Sequence, residues 1–364
     1  MSKKVSVAAV AISLLIVGCI LHILNSVNAK GDESRQFVAL VIPGTKGEVG
    51  WNGFQYQGVK SAVEGLGVEL LLAENVVEHS GRAVPAVDSV IRAGAGMVIL
   101  GSYNYPEELK EYMRTRPEVK FYGISNDLQM ENFVAYSVRA YQARFLSGII
   151  AALHSEKGKI GYVAAMKNTE VIRGINAFAL GARRVNPEAK VFVAWTNSWD
   201  DEGAEKSNVE KLSKAFGIDV VSYQQNREFV PEAADALGIK SVGYGIYESR
   251  FSANLLASTV SNWGKAYREI IQDYLQKKKG VNNYWLGIEK DVVGVSFYSD
   301  AVSDSARKVV EGFMDSMRNG MDVFTGPLHD NQNKKRCEKD EQVSDNILRD
   351  EMDWLVEGVV EYED

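Results

Sequence analysis

The sequence predicts an α/β protein made of two doubly wound, parallel-sheet lobes joined by a hinge. Short β-branched or aromatic runs alternate with amphipathic helical stretches along most of the chain, which is typical of parallel α/β architecture. The second half repeats this theme, although no strong sequence repeat accompanies it. Of the 364 residues, about 335 remain after a leader of 29, which is too many for one ordinary core. Two lobes of about 150 residues each are therefore predicted.

In the first half, the periodicity predicts four strands that alternate with three helices. The first helix has apolar residues near one face, and Gly65 and Gly67 at its end favour a helix C-terminus. The predicted strands are 37–42, 68–73, 97–101 and 120–123, and the predicted helices are 53–66, 83–93 and 106–114.

A helix predicted over 138–154 leads into the second half. Strands are predicted there at 160–164, 190–195, 220–223 and 241–244, and helices at 170–184, 202–215 and 232–237. We expect residues 36–137 plus 248–290 to form the N-terminal lobe, and 138–247 plus 291–364 to form the C-terminal lobe.

The first 29 residues have the order of a secretory signal peptide. Lys3 and Lys4 precede an apolar run over 5–24, and a polar stretch then ends at Ala29. We predict cleavage near Ala29 and a periplasmic mature protein. Two alternatives stay open: the run is about as long as a bilayer span requires, and lipid attachment at Cys19 would give a membrane-anchored lipoprotein. The residues after Cys19 are apolar, whereas a lipid-bearing terminus normally leads into a polar tether.

Charge and cysteine content exclude several classes of protein. Loss of Lys3 and Lys4 changes the net charge from −7 to −9, which argues against a protein that binds nucleic-acid phosphates. If Cys19 leaves with the leader, Cys337 is the single thiol, and no intrachain disulfide is possible. Cys337 lies in a Lys/Arg-rich stretch with no visible base partner, so we expect a surface thiol.

Signatures of catalysis are scarce. His79, His154 and His329 show no metal-ligand spacing, and no nucleophile elbow, phosphate loop or complete dinucleotide fingerprint occurs. Asp200 and Asp201 stand just before a predicted helix, where acidic residues more often cap the helix than perform acid-base chemistry. We therefore expect no enzyme activity, no metal and no cofactor.

Two aromatic clusters follow predicted strands and suggest one small-molecule site. Residues 50–58 contain Trp51, and residues 195–199 contain Trp195 and Trp199. Ligands of open parallel sheets bind beyond the carboxyl ends of the strands, where both clusters fall. Trp195 continues the alternation of a strand and is equally consistent with the core. Trp51 and Trp199 are predicted to sandwich a planar ring, and such stacking contributes roughly 1 to 3 kcal/mol per base.

Amides near these clusters are able to read the edge of a ring by hydrogen bonds, although each is equally consistent with a solvated loop residue. They are Asn52, Gln55, Asn197, Gln224 and Gln225. Further candidate ligand contacts are Ser102, Tyr103, Asn126, Asp127, Tyr244 and Tyr247.

The stretch 164–199, with the motifs Glu170–Pro187 and Trp195–Trp199, resembles the basic membrane protein family of substrate-binding lipoproteins and periplasmic proteins. Residues 136–151 are similar to the family's lobe-crossing helix, and 324–327 with 352–360 are similar to its C-terminal end.

This resemblance implies a type I periplasmic-binding-protein fold with three crossover strands as the hinge. It also implies that the lobes close around a ligand that is passed to the membrane permease and ATPase of an ABC importer. Known ligands of the family are purine nucleosides and bases. Trp51 and Trp199 stand where nucleoside binders clamp the purine, and Asn52 falls on the family's Asn.

Other positions depart from the family pattern. Gly245 stands where many members carry an Asp, and nucleoside binders have a Lys near Ser261; both groups help to hold ribose in those relatives. Gln55 replaces a family His. These departures favour a free base such as adenine, or another flat heterocycle, over a nucleoside. A ligand-sensing receptor subunit of the same fold and an enzyme that processes nucleosides are the alternative functions.

Overall fold

The computed structural model describes residues 36–124, 128–246 and 254–363. The predicted signal peptide and Cys19 lie outside these residues. Alternate residues of the first strand are buried on opposite sides of their sheet: Val38 and Leu40 belong to one apolar cluster, Ala39 and Val41 to another. A strand that is buried on both faces is the mark of a sheet covered by helices on both sides. Among the described residues, no helix is long and apolar enough to span a bilayer.

The first sheet has six strands, and all of their pairings are parallel. Its strand order is β11-β5-β4-β3-β1-β2. The strands are β1 (Gln36–Val41), β2 (Val68–Ala73), β3 (Ala95–Leu100), β4 (Lys120–Gly123), β5 (Phe133–Val138) and β11 (Asn283–Leu286). The helices of this half are α1 (Trp51–Val63), α2 (Ala83–Arg92), α3 (Tyr105–Glu108) and α4 (Lys110–Arg114).

The strands of the second sheet are β6 (Lys159–Ala164), β7 (Lys190–Trp195), β8 (Val220–Gln224), β9 (Lys240–Tyr244), β10 (Leu255–Ser261), β12 (Val293–Tyr298) and β15 (Val359–Glu361). Their order is β12-β10-β9-β8-β6-β7-β15, and β12 runs antiparallel to its neighbour while the other pairings are parallel. A separate sheet pairs β13 (Leu328–His329) with β14 (Lys335–Cys337). Its helices are α5 (Ala140–His154), α6 (Thr169–Val185), α7 (Glu202–Phe216), α8 (Phe229–Ala236) and α10 (Asp304–Arg318). Helix α9 (Trp263–Leu275) packs on α1 in the first half.

The chain crosses between the sheets three times. It leaves the first sheet after β5, returns to α9 after β10, and crosses again between β11 and β12. The predicted N-terminal lobe included residues 248–290, but Leu255–Ser261 pairs with β9 in the second sheet. The second crossing therefore lies near residue 262, and the boundary predicted at 248 comes too early for this strand.

The predicted elements match the structure where hydrophobic periodicity is strong. All eight predicted strands are present, whereas the helix predicted over 106–114 is two short helices, α3 and α4. The helix predicted over 138–154 begins only at Ala140, because residues 133–138 form β5. Strands β10, β11, β12 and β15 and helices α9 and α10 were not predicted, since they lie in the last third, where the sequence pattern is less regular.

Helices α5 and α6 make the closest contact between helices in the C-terminal half. A Cβ placed on Gly148 would lie 1.9 Å from the carbonyl oxygen of Phe178, and one on Gly181 would lie 2.0 Å from that of Phe145. Only glycine at these two positions allows the two backbones to approach this closely. Helix α5 also contacts the second sheet, where the hydroxyls of Ser147 and Thr259 lie 2.9 Å apart.

The C-terminal segment crosses the surface of α6 and adds an edge strand. Asn176 donates to the carbonyl oxygen of Trp354, and β15 extends the second sheet beside β7. Cys337 is buried in this segment and its Sγ donates to the carbonyl oxygen of Glu341 at 3.2 Å, so the prediction of a surface thiol was wrong. Burial raises the pKa of the Cys337 thiol, which outweighs any effect of the neighbouring basic residues.

Candidate ligand-binding site

Both sheets contain the same topological switch. The central strands are ordered β2-β1-β3-β4-β5 in one sheet and β7-β6-β8-β9-β10 in the other. At the β1/β3 and β6/β8 positions the connections leave in opposite directions, which opens a crevice at the carboxyl ends of the strands. The two aromatic clusters predicted from the sequence follow β1 and β7, beside these two crevices.

Trp51 is held in a fixed position at the first switch point. It is the first residue of α1, and its Nε1 donates to the carbonyl oxygen of Gly101, which directly follows β3, at 2.8 Å. Trp263 contacts it edge to face, with 5.4 Å between the ring centroids. The indole is therefore oriented by a hydrogen bond and a ring contact before any ligand binds.

Two amides on the same helix carry unpaired atoms. Asn52 Nδ2 donates to Glu48 Oε2 at 2.6 Å, while its Oδ1 is buried without a partner among the described residues. Hydrogen bonds, first from the Thr45 backbone and then from Asn52, lower the pKa of Glu48. Gln55 is fully buried; its Oε1 accepts from Tyr267, and no described group pairs with its Nε2. A buried unpaired polar group costs about 1 to 3 kcal/mol, so a ligand that satisfies these atoms gains affinity.

The loop after β3 is held by hydrogen bonds to Glu78. The hydroxyl of Ser102 donates to Glu78, and Asn104 Nδ2 donates to the same carboxylate at 3.0 Å. Tyr103 is 61% exposed. In this loop Tyr103 is a better candidate contact than Ser102.

Trp199 belongs to a loop that covers the second switch point. The amides of Thr196 and Asn197 donate to the carbonyl oxygens of Ala164 and Ala165 at the end of β6. The amide of Asn226, just beyond β8, donates to the carbonyl oxygen of Trp199 at 2.9 Å. The loop is thus fixed to both strands of the switch, with Trp199 half-buried between them and Asn197 exposed at positive φ.

Trp195 makes different contacts from Trp199. It ends β7, and its Nε1 donates to Glu361 Oε1 at 2.8 Å on the edge strand β15. The Lys167 ammonium lies 5.7 Å from the centre of its ring. The half-buried indole of Trp195 is thus engaged by β15 and Lys167.

Gln224 and Gln225 occupy the end of β8 and are both buried. Gln224 Oε1 lies 3.4 Å from Tyr162 OH, and it lies beneath Gly174 of α6. Gln225 Nε2 donates to Thr196 Oγ1 at 2.9 Å, and its Oε1 has no hydrogen-bond partner in the described part of the chain. Gln225 is therefore the amide of this pair that has an unsatisfied acceptor.

Tyr244 stands at the end of β9. Its hydroxyl lies 3.0 Å from Ser261 Oγ, and the guanidinium of Arg144 lies 3.7 Å from the centre of its ring. Arg144 was not predicted as a site residue. The signal that would have found it is a lone cation inside the otherwise apolar helical stretch that follows residue 143.

The two lobes contact each other beside the candidate site. A Cβ on Gly50 would lie 3.2 Å from the carbonyl oxygen of Asn226, and a Cβ on Gly245 would lie 3.2 Å from Phe54 Cζ. Phe54 thus occupies the space beside Gly245. Phe54 was not predicted as a site residue.

Three predicted site residues lie outside the described residues: Asn126, Asp127 and Tyr247. A surface cavity of about 400 Å³ lies elsewhere, beside Lys120 and Asn132. These two residues stand at the amino ends of β4 and β5, so the cavity is at the wrong end of the sheet for a crevice site.

The acidic pair before α7 has a structural role. Asp201 Oδ1 accepts from the amide of Ala204 at 2.9 Å, which confirms the predicted helix cap. Glu205, one turn further on, is fully buried, and one of its carboxylate oxygens has no described partner. Burial raises the pKa of Glu205 to about 7, and Asp200 and Asp201 add to the effect.

The sequence profile of the Bmp family, described as ABC transporter substrate-binding protein, PnrA-like, matches residues 35–320. The chain belongs to this family. The fold is accordingly the type I periplasmic-binding-protein fold: a solute-binding protein of an ABC transporter from Conexibacter woesei superposes with a TM-score of 0.66 at 16% identity, over 78% of this chain and 97% of that one. The resemblance noted at 324–327 and 352–360 lies beyond the matched residues.

Two relatives of this chain are named for different ligands. The purine-binding protein of Brucella abortus is 30% identical over 331 residues, which is 90% of this chain and 93% of the relative. A putative ABC transporter glucose-binding protein of Haloferax volcanii is 29% identical over 265 residues, or 72% of this chain and 65% of the relative. This Bmp protein is therefore a substrate-binding protein of an ABC transporter.

Proposed function

We propose that this chain is an extracytoplasmic solute-binding protein whose two lobes close around a purine base. The observation that carries the proposal is the placement of Trp51 and Trp199, each fixed at a topological switch point of its own sheet. A half-buried indole on each lobe offers two apolar faces to a flat ring, and stacking on such faces contributes roughly 1 to 3 kcal/mol per base.

Polar atoms near the two indoles supply recognition of the ring edge. Asn52 Oδ1, Gln55 Nε2 and Gln225 Oε1 are all buried without a described partner. These two acceptors and one donor match the edge of a purine base, which presents both hydrogen-bond donors and acceptors. The name of the Brucella relative supports the same ligand class.

Closure of the lobes follows from the position of these groups. Trp51 and Gln55 lie on α1 of the first lobe, whereas Trp199 and Gln225 lie beyond strands of the second. A ligand that contacts both sets binds the closed form more strongly than the open form, so binding shifts the population toward closure. The chain then delivers the ligand to a membrane permease and ATPase, and no covalent chemistry is required.

The location of the protein follows from this role. Substrate-binding proteins of ABC transporters work outside the cytoplasm, which agrees with the signal-like leader over residues 1–29. We propose cleavage near Ala29, with lipid attachment at Cys19 as the alternative.

Thermal unfolding of the refolded, ligand-free mature chain tests the proposal. The panel is adenine, guanine, hypoxanthine, adenosine, inosine and glucose. Ligand at about a thousand times its Kd adds about 4 kcal/mol of stability, which raises the midpoint by several degrees. We expect this shift with bases and a smaller one with nucleosides. A shift with glucose and none with any purine would contradict the proposal.

A further inference from the structure

Arg144 is a buried cation near the candidate site for which the described residues supply no counter-ion. Arg144 lies in the second turn of α5 and is 2% exposed. Its Nη1 donates to the carbonyl oxygen of Tyr223 at 2.8 Å, and its guanidinium covers the ring of Tyr244 at 3.7 Å. Among the described residues, no carboxylate forms an ion pair with it. A buried guanidinium is costly unless it is paired or well hydrogen-bonded, so the arrangement calls for a further acceptor.

The guanidinium of Arg144 has more hydrogen-bond donors than the described residues use. Arginine carries five N–H groups, and one of its nitrogens, Nη1, has a hydrogen-bond partner in the described structure. Its Nε and Nη2 form no hydrogen bond within the described residues, and they are not fully enclosed. These donors are therefore available to an acceptor on a ligand.

The contacts of Arg144 place it at the crevice of the second lobe. Tyr223 precedes the last residue of β8, and Tyr244 is the last residue of β9, so both contacts of Arg144 lie at the carboxyl ends of strands. A Cβ on Gly174 would lie 3.7 Å from Arg144 Cγ and 2.5 Å from Gln224 Oε1, which makes Arg144 and Gln224 neighbours. Gln225, with its unpaired oxygen, follows directly in the chain.

The chemistry of a guanidinium distinguishes between purine bases. A 6-oxopurine such as guanine presents two adjacent acceptors, O6 and N7, to which Arg donates two hydrogen bonds. Adenine presents the N7 acceptor beside an N6 amino donor, which suits an amide side chain and leaves a guanidinium with one bond and one repulsive contact. An arginine with free donors therefore favours a carbonyl-bearing ring.

We propose that Arg144 is a specificity-determining ligand contact that selects 6-oxopurines, such as hypoxanthine, guanine and xanthine, over adenine. This inference rests on the proposed function, because it concerns the same crevice. It narrows the ligand class from purine bases in general to those with an oxygen at C6.

Calorimetric titration of the refolded chain with hypoxanthine, xanthine and adenine tests the inference. We expect the wild type to bind both oxopurines at least about tenfold more tightly than adenine. In Arg144→Met, affinity for the oxopurines falls at least about tenfold while adenine changes by less than about threefold. Arg144→Lys keeps the positive charge but cannot donate two parallel hydrogen bonds as a guanidinium does. We therefore expect its preference for oxopurines over adenine to be intermediate.

A matched control is available on the neighbouring helix. Arg173 of α6 is also buried, at 7% exposed, and its Nη1 donates to the carbonyl oxygen of Leu348 in the C-terminal segment. Arg173→Met therefore changes stability but not the ratio of oxopurine to adenine affinity. If Arg144→Met fails to fold, two measurements still test the role of Arg144. They are the ratio of oxopurine to adenine affinity in the wild type and the same ratio in Arg144→Lys.

The outcomes separate the two proposals. Adenine binding at least as tightly as hypoxanthine to the wild type would overturn the role of Arg144 and leave purine binding intact. An equal loss for all three bases in Arg144→Lys would likewise assign Arg144 a merely structural role. Failure of every purine to bind would overturn the proposed function, and the selectivity of Arg144 with it.

Discussion

Phe54 of α1 lies directly against Gly245, the residue that follows β9 in the opposite lobe. A Cβ on Gly245 would lie 3.2 Å from Phe54 Cζ, and Gly245 itself has a φ of 77°. Glycine is thus required there both for its backbone conformation and for the close approach of the ring. The contact joins a helix of the first lobe to a strand end of the second, and it forms only when the lobes are together.

Gly245→Ala is predicted to weaken ligand binding about tenfold or more. The added methyl group pushes against Phe54 and raises the free energy of the closed form, to which the ligand binds. Titration of the variant with the best-binding base measures the change. Gly238→Ala is the matched control, because Gly238 has a φ of 66° but no described atom lies within 4 Å of the methyl group that alanine would add. An equal loss of affinity in both variants would assign the effect to backbone strain alone.

Trp51→Ala and Trp199→Ala are each predicted to weaken ligand binding at least about tenfold, because each removes one stacking face. Fluorescence or calorimetric titration measures the affinity, and circular dichroism checks that the fold is intact. Trp195→Ala serves as the control, since its indole bonds Glu361 on the edge strand and takes no part in the sandwich. Unchanged affinity in both site variants would exclude the sandwich.

Gly148→Ala is predicted to destabilise the protein by about 2 to 3 kcal/mol. The new Cβ would lie 1.9 Å from the Phe178 carbonyl oxygen, so α5 and α6 must move apart. Gly312→Ala on α10 is the control, because no described atom lies within 4 Å of its added methyl group. There the better helix propensity of alanine stabilises by about 0.5 to 1 kcal/mol. Denaturant unfolding gives both values, and equal effects of the two substitutions would contradict the close helix contact.

Glu205 is predicted to make stability depend on pH near neutrality. Burial raises its pKa from 4.5 to about 7, so the folded state binds the proton more tightly than the unfolded state. Its contribution is therefore fully present below the unfolded pKa and is lost as the pH rises through about 7. Relative to Glu205→Gln, the wild type should lose thermal stability as the pH rises from 4.5 to about 7. A constant difference in Tm between the two proteins would show that Glu205 does not titrate there.

The sequence predicted the alternating part of the fold well because each strand of that part is a short apolar run between amphipathic helices. It did not predict β10 and α9, since the chain changes lobe between Ser261 and Trp263 and this crossing has no periodic signal. Trp51 was predicted as a site residue from its polar neighbours, but its bond to Gly101 was not, because it joins residues 50 positions apart. The roles of Phe54 and Arg144 likewise depend on contacts between distant elements, which local sequence patterns do not encode.

The most direct test of the account is a crystal structure of the refolded chain with hypoxanthine bound. We predict that the base lies between the indoles of Trp51 and Trp199, with its O6 and N7 edge toward the guanidinium of Arg144. A base bound in the crevice but away from both indoles, or bound only outside the two switch points, would contradict the central claim.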